Sequence, residues 1–239
     1  MILTGFPSGM FQTNCYIVAD EDTREAIIID PGQDAAPNVR TILAEQSLTP
    51  VAVFLTHGHL DHTWNAQELA DEFSIPAYIH PADRGQLAHP GEGLGKALAV
   101  MIGVMKFREP EKVIEFGDHE ELDVAGIRWK VDHAPGHSPG SVLLSMQVST
   151  EAGPAPVCFA GDVLFQGSIG RTDLPGGSHQ QLLDSISEQL LTRDDQTLVL
   201  PGHGPQTTIG AERAGNPFLR ATPHPATEET TVMKGRRGL

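Results

Sequence analysis

The sequence holds one dense cluster of side chains of the kind that bind metal ions in proteins. Residues 56–62 read Thr-His-Gly-His-Leu-Asp-His, so three histidines and an aspartate fall within six positions. Chance is a poor explanation, because the whole chain of 239 residues has 11 histidines. Imidazole and carboxylate groups are ligands that suit zinc, iron or manganese. The candidate ligands in this cluster are His57, His59, Asp61 and His62.

Three further candidates lie later in the chain, and each directly follows a glycine at the end of an apolar run. Glycine lets the backbone turn sharply and approach a ligand closely. The cluster at 56–62 has a related setting, because it ends an apolar run and precedes a helix-like pattern. Four strand ends that each deliver ligands predict one shared site at one edge of a sheet sandwich. The three pairs are Gly136-His137, Gly161-Asp162 and Gly202-His203.

The number of candidate ligands indicates more than one metal ion. Seven ligands exceed the roughly four that a zinc ion takes. They suit two metal ions that share a bridging carboxylate. Such pairs generate a hydroxide nucleophile at neutral pH, whereas structural zinc sites are closed and rich in cysteine. The cluster therefore predicts a metal-dependent hydrolase.

The elements that must position these side chains alternate between strands and helices, which is typical of a layered α/β domain. Helix patterns are strongest at residues 65–73 and 180–191, and weaker at 39–45 and 94–105. Short apolar runs predict buried strands. These runs are residues 15–18, 26–30, 51–55, 127–131, 142–146, 157–160 and 197–200.

Length and composition predict one domain and a tail. A chain of 239 residues is long enough for one large core. Residues 221–239 are rich in Pro, Thr and Glu and have no periodicity, which predicts a flexible C-terminal tail. We therefore expect a single domain over residues 1–220.

Charge and hydropathy exclude several classes of partner. The net charge of -15 argues against a nucleic-acid surface and against an anionic membrane. No apolar stretch approaches the ~18 residues that span a bilayer, and the first residues lack the basic and apolar regions of a secretory signal. Cys15 and Cys158 lie in apolar runs and are predicted to be buried, reduced thiols. Together these features predict a cytoplasmic protein.

The ligand pattern, His57-x-His59-x-Asp61-His62 followed by His137, Asp162 and His203, resembles that of the metallo-β-lactamase superfamily. Within it, the chain is most similar to the glyoxalase II-like (hydroxyacylglutathione hydrolase-like) enzymes of a short bacterial branch. The motifs that carry this likeness include TNCYIV, IIIDPG, APGHSPGS, GSIGRTDLPGG and the GPQTTIGAERAGNPF ending. The resemblance implies an αββα sandwich of two mixed β-sheets flanked by helices, with the metal ions at one edge.

The resemblance also implies a role for each ligand. It implies two divalent metal ions per chain, zinc by default, although iron and manganese suit the same groups. Carried over by position, the ligands would be His57, His59 and His137 for the first ion, Asp61, His62 and His203 for the second, and Asp162 as the bridge. Asp61 would in addition orient the nucleophile and is the predicted catalytic residue.

The implied substrate is a small-molecule acyl thioester such as S-lactoylglutathione. The short branch lacks the C-terminal helical domain that grips glutathione in full-length glyoxalase II, so the thiol carrier stays open. Arg171 lies where the family often has a basic residue near the substrate. It predicts either a substrate contact or a salt bridge to Asp173.

The main alternative is a different enzyme on the same fold. Persulfide dioxygenases resemble this chain in length and in the GRTD segment, and they use one iron ion. Here His57, His137 and Asp162 would hold that iron. The sequence around His203 and the NPF ending favour the thioesterase branch, as they do over a β-lactamase. Metal identity and count discriminate between the two readings.

The histidines outside this set carry no ligand pattern. We predict them to be surface or loop residues. They are His80, His89, His119, His133, His179 and His224.

Overall fold

The computed structural model describes residues 1–95, 99–100, 102, 105–150 and 153–219. Its first sheet has six strands in sequence order. The first three are antiparallel and the last three continue in parallel, so the sheet is mixed. The strands are β1 (Ile2–Ser8), β2 (Thr13–Ala19), β3 (Glu25–Ile29), β4 (Thr49–Phe54), β5 (Ala77–Ile79) and β6 (Val113–Glu115).

The second sheet also has six strands and is also mixed, because β10 and β13 pair in parallel while the others pair antiparallel. Its order is β14-β13-β10-β9-β8-β7. A separate two-stranded ribbon pairs β11 (Leu164–Phe165) with β12 (Ser168–Ile169). The other strands are β7 (Glu120–Val124), β8 (Ile127–His133), β9 (Val142–Thr150), β10 (Gly153–Gly161), β13 (Leu198–Pro201) and β14 (Thr207–Thr208).

Helices cover the outer face of each sheet. On the first sheet lie α1 (Ala35–Glu45) and α3 (Ala66–Phe73); on the second lies α5 (His179–Ser185), which continues as a π-helical turn (Ile186–Leu190). Shorter helices lie beside the candidate site or late in the chain. They are α2 (Leu60–Thr63), α4 (Pro81–Arg84) and α6 (Ile209–Gly215).

The strands carry apolar residues on both faces, because each sheet packs against helices on its outer face and against the other sheet on its inner face. Successive strand residues point to opposite faces. Ile28 packs against the α1 and α3 layer, whereas Ile27 and Ile29 pack between the two sheets. Trp129 is fully buried in that central layer and packs edge-on against Phe54. The predicted αββα sandwich of two mixed sheets is confirmed.

Each of the seven predicted strands is present, and so are the helices predicted at 65–73 and 180–191. The helix predicted at 39–45 begins earlier, at Ala35, because a proline is tolerated in the first helical turn and Pro37 lies there. Part of the segment 94–105 lies outside the described residues, as does the predicted tail at 221–239. The boundary at residue 220 stays a prediction. Among the described helices, none has the length and hydropathy to cross a bilayer.

Candidate metal centre

The seven predicted ligands come together at one edge of the sandwich. The strands β8, β10 and β13 point in the same direction, and β4 ends at the same edge from the other sheet. The segment that joins β4 to α2 carries the first four ligands. His137, Asp162 and His203 follow β8, β10 and β13.

Three groups of side chains among the described residues are close enough together to hold a metal ion, and two of these groups share no residue. In the first, His137 Nε2 lies 2.9 Å from His59 Nδ1 and 3.2 Å from His57 Nε2. In the second, His203 Nε2 lies 3.3 Å from His62 Nε2 and 3.2 Å from Asp61 Oδ2.

Asp162 lies between the two groups. Its Oδ1 is 3.3 Å from His62 Nε2. Its Oδ2 is 3.6 Å from His137 Nε2 and 3.5 Å from His203 Nε2. One carboxylate therefore reaches both groups, which is the position that a bridging ligand requires.

The outer ring nitrogens fix which nitrogen of each imidazole points inward. Nδ1 of His137 donates a hydrogen bond to the carbonyl oxygen of Arg171 at 2.8 Å. Nδ1 of His203 donates to the carbonyl oxygen of Phe11 at 3.1 Å. Both rings must carry their proton on Nδ1 to donate, so in the neutral form Nε2 bears the lone pair.

His62 and His57 are oriented in the same way from the other sheet. Nδ1 of His62 lies 3.0 Å from Asp30 Oδ2. Nδ1 of His57 lies 3.1 Å from Thr56 Oγ1, whose own hydrogen goes to Asp30 Oδ2 at 2.7 Å. Each Nδ1 is therefore a donor, and in the neutral form of each ring Nε2 turns its lone pair toward the centre.

This arrangement fits a pair of metal ions. Two lone pairs facing each other at 3.2 or 3.3 Å repel unless a cation lies between them. Ligand atoms at the corners of a zinc tetrahedron, about 2.0–2.1 Å from the metal, are roughly 3.3 Å apart. His59 Nε2 and Asp162 Oδ1 are buried without a hydrogen-bond partner among the described residues. The donor set, its spacing and the orphaned carboxylate oxygen all suit divalent cations.

The electrostatics of the site favour the same conclusion. Burial lowers the pKa of His57 well below its ordinary value, and it lowers the pKa of His59 to about 3. Burial also opposes charge on His62 and His203, but the adjacent carboxylates outweigh it and raise both pKa values. The rings of His57 and His59 are therefore held in the neutral form. The rings of His62 and His203 lie where nearby carboxylates favour a positive charge.

Two buried aspartates outside the predicted set support the ligands. Asp30 directly follows β3 and accepts from the Thr56 N–H at 2.8 Å, so it braces the segment of the candidate ligands as well as His62. Asp83, in α4, accepts from the backbone N–H groups of Gly58 and Gly140, each at 2.8 Å. Sequence reasoning missed both. Asp30 had a signal, since it ends an apolar run as the ligands do, but Asp83 had none.

Glycines let the ligand segments approach one another. A Cβ at Gly202 would collide with Asp162 Oδ1 and His62 Cε1. Gly161 has φ +46°, and a Cβ there would collide with the Thr56 side chain. The predicted roles of these two glycines are confirmed.

The seam between the sheets places His203. The backbone N–H of Asn14 donates to Gly202 O at 2.7 Å, and the Tyr16 hydroxyl donates to Pro201 O at 2.7 Å. Thr13 forms an isolated antiparallel bridge with His203. The start of β2 therefore holds the last ligand beside the first four.

A cavity of about 820 Å³ opens onto the site. Asp61, with a fifth of its side chain exposed, and His203 are the most accessible of the seven ligands. Arg171 also lines the cavity, and its guanidinium forms a two-pronged ion pair with Asp173, with both contacts at 2.7 Å. The salt bridge that was one of the two readings for Arg171 is therefore present, and a substrate contact stays a prediction.

Comparison with known sequences identifies relatives over nearly the whole chain. A family model described as the metallo-beta-lactamase superfamily matches residues 8–203. An uncharacterized protein of Mycobacterium tuberculosis is 50% identical over 220 residues, covering 92% of this chain and 98% of its own length. The hydroxyacylglutathione hydrolase GloC of Haemophilus influenzae is 35% identical over 219 residues, covering 90% of this chain and 96% of its own.

Solved structures share the fold. The BLEG-1 B3 metallo-beta-lactamase superposes with a TM-score of 0.76 and 41% identity, covering 92% of this chain and 100% of its own. TTHA1623 in a di-iron-bound form superposes with a TM-score of 0.74 and 33% identity, covering 90% of this chain and 100% of its own.

Proposed function

The chain belongs to the metallo-beta-lactamase superfamily, and we propose that it is a binuclear metal-dependent hydrolase that cleaves acyl thioesters, with chemistry of the glyoxalase II type. One observation carries the proposal: two sets of ring nitrogens point inward, 3.2 Å apart in one set and 3.3 Å apart in the other, and Asp162 lies within reach of both. A single metal ion would leave one of these sets unsatisfied. The relation to a hydroxyacylglutathione hydrolase supports the thioester as the substrate class.

In this proposal the residues would divide between two metal ions as the family resemblance implies. The first ion would be held by three imidazoles, and the second by a carboxylate and two imidazoles. In the proposed assignment the ligands are His57, His59 and His137 for the first, Asp61, His62 and His203 for the second, and Asp162 for both. We propose zinc as the bound metal. Iron is included in the test, because a solved relative is in a di-iron-bound form.

When bound, two such ions supply hydroxide at neutral pH and polarise the substrate carbonyl. The chain supplies position and charge. Asp61 faces the cavity and its carboxylate is ionised, because neighbouring imidazoles outweigh its burial and lower its pKa. It can therefore accept a hydrogen bond from the attacking oxygen and aim the lone pair of that oxygen at the carbonyl carbon. The Thr13 hydroxyl donates to Asp61 Oδ2 at 3.3 Å and restrains it.

The reaction balances without a redox partner. A carbon–oxygen bond forms at the carbonyl, the carbon–sulfur bond breaks, and the thiolate leaves with the electron pair. Thiols have a pKa near ~8.5, so the leaving group needs no strong general acid. The products are a carboxylic acid and a free thiol.

The rival proposal is a mononuclear iron persulfide dioxygenase that uses His57, His137 and Asp162. His137 lies 3.2 Å from His57 and 3.6 Å from Asp162, so these three side chains are neighbours. Asp61, His62 and His203, however, also lie close together. A mononuclear iron site gives the second group no role. We therefore favour two metal ions and hydrolysis.

The deciding experiment measures thiol release from S-lactoylglutathione by purified protein of known metal content. A chelator-treated sample and the same sample reloaded with zinc or iron are assayed beside it. We expect release that is lost with the chelator and restored with two metal ions per chain. A β-lactam is assayed in parallel, because BLEG-1 is described as a metallo-beta-lactamase. Fully loaded protein that hydrolyses no thioester would refute the proposal, and oxygen uptake with a persulfide and one iron would replace it.

A further inference from the structure

We propose that the substrate is an acyl thioester whose acyl group is an apolar carbon chain, and that the described wall of the cavity does not recognise its thiol carrier through charge. This inference rests on the proposed thioesterase function and names its substrate class. The evidence is the wall of the cavity at the metal centre, which combines a large apolar surface with few polar groups.

One side of the cavity is an apolar cluster beside the ligands. Leu60 and Leu94 are buried there, and Trp64 packs edge-on against Phe107 with ring centroids 5.8 Å apart. Leu60 directly follows His59 in the chain, so this surface begins at the candidate metal site. A carbon chain that extends from a carbonyl at the metals would meet it first.

The other side and the mouth are also apolar. The ring of Phe165 packs edge-on against the ring of His203, with the ring centroids 6.2 Å apart. Met10, Phe11 and Met105 line the mouth and are exposed by 73%, 44% and 45%. Large apolar side chains exposed together at a cavity mouth indicate a binding surface for an apolar group.

Among the described residues of the cavity wall, polar groups that could bind a charged thiol carrier are scarce. Apart from the candidate ligands and the indole N–H of Trp64, Ser168 and Arg171 carry the only polar side-chain groups among the described residues that line the cavity. The Ser168 hydroxyl contacts the carbonyl oxygen of Ile169. The Arg171 guanidinium is already bound to Asp173 through two hydrogen bonds.

Glutathione would be a poor match for this wall. It carries two carboxylates and one ammonium group at neutral pH. Charged groups that leave water without a partner lose binding free energy. The described wall offers one cation for two carboxylates, and that cation is already paired. An apolar chain loses nothing on leaving water and gains from burial.

The test is a series of thioesters on one small uncharged thiol, N-acetylcysteamine, with straight acyl chains of two to eight carbons. A lactoyl thioester on this thiol is compared with S-lactoylglutathione. We expect kcat/KM to rise up to about fourfold for each added methylene until the cavity is filled. We expect the two lactoyl thioesters to differ by less than about threefold. A flat chain-length series, or a preference for glutathione above tenfold, would overturn the inference.

Variants locate the effect in the cavity. Phe11→Ala removes an exposed ring, so it leaves the fold intact, and it keeps the backbone oxygen of Phe11 that accepts the hydrogen bond from His203. It should lower the ratio of octanoyl to acetyl kcat/KM at least threefold. Phe218→Ala is the matched control, because Phe218 is similarly exposed, by 48%, and does not line the cavity. An equal effect of both variants would count against the cavity.

Binding without turnover separates this inference from the proposed function. The chain has two tryptophans, Trp64 in the cavity wall and Trp129 in the fully buried core. Titration with the octyl thioether of N-acetylcysteamine should change the fluorescence of Trp64, and Trp64→Phe should abolish the change. Binding of the thioether by protein that hydrolyses no thioester would uphold the apolar site and refute the thioesterase. Hydrolysis without chain-length preference or binding would do the reverse.

Discussion

Ser138 Oγ donates a hydrogen bond of 2.6 Å to Asp83 Oδ2, and neither side chain is exposed to solvent. The same carboxylate accepts from the backbone of Gly58. Asp83 therefore ties the segment that carries His57 and His59 to the loop that carries His137. It touches none of the ligands, yet it sets the separation of two segments that come from different sheets.

Asp83→Asn should loosen this connection. Asparagine replaces one carboxylate oxygen with an NH₂ group, which cannot accept a hydrogen bond. A buried donor is then left unsatisfied, at a cost of about 1–3 kcal/mol. We expect a lower free energy of unfolding and metal affinity reduced ~10-fold or more, as for other groups that position ligands. Urea unfolding and a metal-competition titration measure the two effects. The control is Asp123→Asn, whose carboxylate is exposed and, among the described residues, forms an ion pair with Arg128 alone. Unchanged metal affinity in Asp83→Asn would contradict this role.

Asp61→Ala should abolish turnover without unfolding the protein. The loss should be at least ~10²-fold, since Asp61 is both a proposed ligand and the group that aims the nucleophile. The melting temperature of the metal-free variant should stay close to that of the metal-free wild type, because the side chain lies at the cavity surface. Thioester hydrolysis and circular dichroism provide the readouts. Activity near the wild-type level would rule out the assignment.

Metal removal should destabilise the fold. Ions that bind only the folded state at a hundredfold excess over Kd contribute about 2.7 kcal/mol per site. For a chain of this size that corresponds to roughly 5–10 °C in the melting temperature for each site. Differential scanning calorimetry with and without a chelator measures the shift, and His203→Ala should show a smaller one. An identical melting temperature for loaded and stripped protein would exclude ligation by these side chains.

Asp173→Asn should change carrier selectivity. It frees the Arg171 guanidinium from its ion pair, so the cavity wall gains an unpaired cation. KM for a glutathione thioester should fall severalfold, while KM for the matched uncharged thioester should not change. Steady-state kinetics on the two lactoyl thioesters tests this, with Asp123→Asn as the control. A parallel change for both substrates would show that Arg171 does not face the carrier.

His80 should make stability depend on pH. Burial, followed by the charge of His133, lowers the pKa of His80 below 6.5. The two rings stack with centroids 4.1 Å apart, and His80 Nδ1 accepts from the Ala82 N–H, which the protonated ring could not do. The unfolded chain therefore binds this proton more readily than the folded chain.

The contribution of His80 to the free energy of unfolding is fully present above pH 6.5. It is lost as the pH falls from 6.5 toward the lower pKa that His80 has in the folded state. Urea midpoints at pH 7.5 and pH 5.5 should differ more in the wild type than in His80→Gln. The same difference in both proteins would assign the effect to other groups. His80 and His133 are thus partly buried and stack on each other, a pairing that the prediction of surface or loop residues did not include.

The sequence by itself determined the layered architecture and predicted the candidate ligands that the structure brings together. Both are local properties: scarce residue types crowd together at 56–62, and apolar runs end in glycine-flanked histidine or aspartate. Strands such as β11, β12 and β14 went unpredicted because two residues are too short for an alternation to be visible. No pattern in the sequence marked them.

Only the tertiary structure decided how the site is supported and what it can accept. The inward nitrogen of His203 is chosen by a carbonyl at Phe11, 192 positions away. Asp83 meets Ser138 across 55 positions, and the cavity wall joins Phe11, Trp64 and Phe165. Such contacts depend on how separate segments pack against each other. A linear pattern records only neighbours along the chain, so it can specify a ligand but not the partner that orients it.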